Sequence, residues 1–125
     1  VDPQDYPSGD PTLLGETVRS VKQIDKEEIR FETESGRKFV IMHSQDCCES
    51  VVIHDVSGDL QTLVGQKIVV YEGSWDNDLP SSMEPGMVES FTRSIFKVND
   101  IVIECFGQSN GYYNESMALA DVTFE

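Results

Sequence analysis

The sequence predicts an α+β fold dominated by antiparallel strands: one sheet-rich domain with one or two short helices. Three observations carry that expectation. Apolar and polar residues alternate over short stretches such as Ile29, Phe31 and Thr33 against Arg30 and Glu32. Turn signals recur at Ser35-Gly36, Asn99-Asp100 and Asn110-Gly111. A chain of 125 residues suits one core without staples.

Residues 1–11, rich in Asp, Pro, Ser and Gly, read as a flexible tail, and 12–125 as a single acidic domain. Val1 in place of Met reads as a processed start. Asp10-Pro11-Thr-Leu-Leu-Gly15 has an N-cap, a first-turn proline and a glycine stop, which predicts one helical turn. Thr17–Ile24 has helix-like spacing at Val18, Val21 and Ile24. Its β-branched content and the segments that follow nevertheless favour a strand.

Glu28–Thr33 and Lys38–His43 form a hairpin about Glu34–Arg37. Val51–Val56 is a strand, Asp59–Gly65 a short capped helix and Lys67–Glu72 a further strand. Gly73–Glu89, with two prolines, reads as a long loop. Ser90–Val98 and Ile101–Gly107 make a second hairpin, and Asn110-Gly111 turns the chain into a last strand ending near Phe124. The stretch Gly9–Gly15 with Val18 echoes Gly58–Gly65 with Ile68, one residue longer. Duplication is one reading of this echo, and two capped turns that arose independently is the favoured one.

Chemistry concentrates in one place. His43-Ser-Gln-Asp46-Cys47-Cys48-Glu49, followed by His54, gathers both histidines and two of the three cysteines. Such donors hold zinc or pair a nucleophile with its base. The expected zinc ligands are His43, Cys47, Cys48 and His54, with Asp46, Glu49 and Cys105 as substitutes, Cys105 closing the site from the second hairpin. A bland reading stands beside it: buried small thiols and polar surface histidines. A cysteine nucleophile is disfavoured because the surrounding carboxylates raise a thiol's pKa.

Three cysteines, two of them adjacent, build no disulfide framework, which predicts a reducing cytoplasm. No secretory leader or membrane-length apolar run is visible. Asn114-Glu-Ser116 is therefore read as a chance glycosylation match. Calcium-loop, phosphate-loop, nucleophile-elbow and basic aromatic patterns are not found in the sequence.

Charge is the remaining signal. Residues 1–38 hold 9 acids and 6 bases, whereas 39–125 hold 14 acids and only 3 bases. That field repels nucleic acid and favours basic partners, often nucleic-acid-binding proteins. Expected partner-binding residues are Asp76, Asp78, Glu84 and Glu89, with Tyr112 and Tyr113 as a contact surface near a turn.

Three blocks together resemble a family of small uncharacterised proteins from phages and their hosts. They are Ser44-Gln-Asp-Cys-Cys-Glu-Ser50, Gly58-Asp-Leu60 with Leu63 and Gly65, and Ser109-Asn-Gly-Tyr-Tyr113. The likeness spans residues 12–123. The family pattern has an acidic residue where Ser44 stands, and often Glu where His54 stands, which sets His54 apart from the other ligands. The resemblance implies a mobile-element protein acting inside a bacterial host cell, in its cytoplasm. Some small acidic phage proteins are anti-CRISPRs. By that analogy and the charge, the expectation is a non-enzymatic, zinc-stabilised inhibitor of a Cas9 nuclease. A small metal- or thiol-dependent enzyme and a phage accessory protein of unrelated role are the alternatives.

Overall fold

The computed structural model describes residues 12–43, 49–76, 90–109 and 116–123. Eight strands make two four-stranded antiparallel sheets. They are β1 (Val18–Ile24), β2 (Glu28–Thr33), β3 (Lys38–Met42), β4 (Ser50–Ser57), β5 (Tyr71–Asp76), β6 (Ser90–Val98), β7 (Ile101–Ser109) and β8 (Ala118–Asp121). The first sheet has the order β1-β2-β3-β8 and the second β4-β7-β6-β5. Their inner faces share one core, in which Phe31, Phe39 and Ile41 join Phe96, Ile103 and Cys105.

The α+β expectation is corrected to an antiparallel β fold. Among the described residues the one helical element is the 3-10 turn Leu60–Leu63, where a capped helix was expected. Asp59 does cap it, its Oδ1 accepting from the Gln61 N–H at 2.9 Å. Val64 then turns extended and stops the turn after four residues. Of the helical turn expected at 10–15, the described residues form a simple turn, closed by the Glu16 N–H donating to Leu13 O.

Both hairpins form as expected. The helix-like spacing of β1 has a β explanation. A register shift between Val18 and Ser20 inserts one extra residue, so Val18 and Val21 both face the core three positions apart. A second shift, at His54, does the same for Ile53 and Val56 on β4. The strand expected at Lys67–Glu72 starts later, at Tyr71, and runs to Asp76. Asn99 takes the preceding stretch instead, its Oδ1 accepting from the Val69 and Val70 N–H groups. The last strand, expected to follow β7 through a turn, pairs with β3 in the other sheet.

The sequence echo is a structural one. Thr17 bridges Lys67 in antiparallel fashion, and the backbone hydrogen bonds that link the two turns across it come in matching pairs. Gly15 N–H donates to Ile68 O at 2.9 Å, and Gly65 N–H to Val18 O at 2.7 Å. Val18 N–H donates to Gln66 O at 3.0 Å, and Ile68 N–H to Glu16 O at 2.8 Å. Gly15 and Gly65 have matching φ of 84° and 86°, the left-handed region that glycine enters without cost. Leu13 and Leu63 are buried, and Leu14 and Val64 exposed. The two turns therefore occupy equivalent places in an internal pseudo-two-fold. It relates β1-β2-β3 to β5-β6-β7, and β4 to β8.

Candidate functional site at the strand crossovers

Under this symmetry the chain crosses between sheets twice. From β3 it passes through 43–49 to β4, and from β7 through 110–117 to β8. The described ends of the two crossovers meet. His43, just after β3, has Nδ1 2.9 Å from Ser116 O, and because a carbonyl only accepts, the Nδ1 proton lies in that bond. Nε2 lies 2.8 Å from Glu49 Oε2, so a second proton is held between imidazole and carboxylate. The His43 and Glu49 side chains are 5% and 0% exposed. A buried carboxylate without such a partner would be strongly disfavoured.

Residue 117 is pinned as well. Trp75 Nε1–H donates to Met117 O at 3.2 Å, and Met117 N–H donates to Ser94 Oγ at 3.1 Å. The Trp75 ring meets Phe96 edge to face at 6.4 Å, yet the residue is 52% exposed. Residues 77–89 lie between Asp76 and Ser90 in the chain, and Ser90 pairs with Ser109. The described residues that flank segments 44–48, 77–89 and 110–115 lie in this region, and by sequence those segments carry five acids and no base.

A polar chain crosses the outer face of the second sheet. Arg93 makes a two-pronged pair with Asp76, at 2.9 and 2.7 Å, and reaches Glu104 Oε2 at 3.3 Å. His54 Nε2 approaches Glu104 Oε1 at 3.9 Å. Register explains the alignment: Asp76 lies opposite Arg93, and the bulge at His54 brings that side chain toward Glu104.

These positions bear on the expected zinc ligands. Cys105 faces the core with no exposure, and burial, helped by the Glu104 charge, pushes its thiol up to about 12. It packs in the core, where burial favours the protonated thiol. His54 lies with Glu104 on the opposite face of the same sheet, so one ion does not reach both. His43 has each ring nitrogen engaged by Ser116 or Glu49. Among the described residues no three His, Cys, Asp or Glu side chains form a group that could hold a metal ion. Asp46, Cys47 and Cys48 lie outside the described residues, as do Asp78, Glu84, Glu89, Tyr112 and Tyr113.

Of the expected partner-binding residues, the described one is Asp76, whose two oxygens both contact Arg93. Trp75 was missed. Its signal was present, since it is the single tryptophan and sits next to Asp76 in a stretch with no nearby base.

Fold and site define a two-sheet antiparallel β domain with internal pseudo-two-fold symmetry and a pinned crossover end. The chain belongs to the family described as a domain of unknown function, DUF7448, whose model matches residues 11–119. No curated protein and no solved structure matches it.

Proposed function

We propose that the protein is a non-enzymatic acidic binding protein of mobile-element type. Its crossover end occupies a basic surface on a host nucleic-acid-processing enzyme, in the manner of an anti-CRISPR blocking a Cas nuclease. The observation that carries this reading is Trp75. A tryptophan about half exposed, with its indole N–H already fixed, is the sort of preorganised anchor that dominates interfaces. By sequence, the segments flanked by this region carry five acids and no base, which complement arginine and lysine on a partner. Steric occlusion with electrostatic steering is the mechanism, and nucleic acid itself is repelled.

A zinc ion in this end would take Cys47 and Cys48, with His43 released from Glu49. It would staple the crossover rather than react. Metal analysis of untagged protein decides this, and protein without stoichiometric zinc removes the ion from the account. The buried His43–Glu49 pair also keeps a thiol or metal enzyme as the second reading, for which turnover lost in Cys47→Ala with the fold intact is the sign.

The test is DNA cleavage by a purified Cas9 nuclease with the protein added at low and high salt. Inhibition that fades as salt rises, and that Trp75→Ala weakens, supports the proposal. Undiminished cleavage at every protein concentration and both salt levels refutes it for that nuclease class. The host cytoplasm follows as the place of action. Among the described residues no helix is long and apolar enough to cross a membrane.

A further inference from the structure

Each half of the chain finishes the other. Residues 12–57 supply β1–β4 and residues 58–123 supply β5–β8, yet β4 pairs with β7 and β8 with β3. Without β8, β3 would be an open edge, and so would β7 without β4. The core mixes both halves throughout, with Phe31 and Phe39 from one and Phe96 and Ile103 from the other. The two halves are joined through a short turn, Ser57–Gly58–Asp59, between β4 and the 3-10 turn. This turn is tight: Gly58 has φ of 102°, and a Cβ there would lie 2.7 Å from Ile101 Cδ1.

We infer that the complementary half can come from a second copy of this chain, giving a reciprocal strand-exchanged dimer hinged at Ser57–Asp59. The occupant follows from the pairing already described. The surface that accepts β4 and β8 is shaped for those strands, and a second copy carries both. In the dimer the first half of each chain packs with the second half of the other. Every ladder bond is retained and only the hinge changes conformation, so the assembly closes with two-fold symmetry and has no open end. A constrained hinge with many interactions reproducible in trans is the arrangement that favours exchange. This inference is independent of the proposed docking function.

The full-length Val40→Cys/Ala120→Cys variant tests it, because these residues are direct partners between β3 and β8. Their cross-strand Cα separation falls within disulfide reach. The variant is refolded from denaturant at dilute and concentrated protein, oxidised, sized and run on a non-reducing denaturing gel. The expected result is a dimer fraction that grows with concentration during refolding, its chains linked covalently through the new bond. Gly58→Val, which cannot hold the hinge conformation, raises the dimer fraction further. Ile53→Cys against the native Cys105, partners between β4 and β7, gives a second crosslink if the first pair perturbs folding. With Cys47 and Cys48 replaced by Ser, that crosslink is unambiguous. Monomer at every refolding concentration overturns the inference, whether or not Gly58→Val folds. A dimer whose disulfides all lie within single chains overturns it equally.

Discussion

Replacing Glu49 by Ala removes the carboxylate that faces His43 Nε2 at 2.8 Å in a site with almost no solvent. A hydrogen bond to a charged group is worth about 1.5–3 kcal/mol net. Leaving a buried cation wholly unpaired costs about 3–5 kcal/mol. A loss of about 3 kcal/mol, where these two ranges meet, is expected for Glu49→Ala. Glu49→Gln keeps the shape and a hydrogen-bonding group opposite Nε2, and should cost about 1 kcal/mol or less. Urea unfolding followed by the fluorescence of the single tryptophan, which sits at the same end of the fold, measures both variants. The midpoints should move with unchanged slope. A Glu49→Ala loss under about 0.5 kcal/mol, the size of an ordinary surface change, would refute the buried pair.

Three further outcomes are expected. Asp121 is held at about 2 by hydrogen bonds from Thr123 and Arg37, below its ordinary carboxylate value. Its folded-state pKa is depressed, so its contribution to stability is present above pH ~4 and disappears as pH falls toward ~2. In Asp121→Asn the acid-unfolding curve should flatten in that window. Gly15→Ala and Gly65→Ala should cost nearly the same, about 1–2 kcal/mol each, because both have φ near 85° with open space beside them. Clearly unequal losses in thermal unfolding would contradict the pseudo-two-fold. Cys105, buried and with its thiol at about 12, should resist a thiol-reactive probe at neutral pH until the chain unfolds. Rapid labelling of Cys105 in folded protein would show that the second sheet opens.

Much of the sheet content was legible because local pattern sets it. The Glu28–Thr33 and Lys38–Met42 hairpin follows from alternation and a glycine turn, and so does the pairing about Asn99-Asp100. The bulges at β1 and β4 were not legible, since one inserted residue imitates helical spacing. The partner of β8 was hidden because it is set by exchange between halves, not by the turn before it. The echo between Leu13–Val18 and Leu63–Ile68 was visible, but only the Thr17–Lys67 bridge shows the two copies holding each other. At the site, His43 and Glu49 were read only as candidate zinc ligands six residues apart, and neither their pairing with each other nor its closure by Ser116 O from the far crossover was anticipated. Cys105 looked like a ligand by residue type, and strand phase turns it into the core instead.

The proposal that the crossover end docks on a basic partner is tested most directly by titrating the protein with a purified Cas9 nuclease while following Trp75 emission. The account predicts a saturable change in emission, with affinity that falls as salt rises. Trp75→Ala, measured by competition, should weaken binding by roughly 30-fold, the equivalent of about 2 kcal/mol for an interface anchor. Binding that leaves Trp75 emission unchanged, or that Trp75→Ala does not weaken, would contradict it.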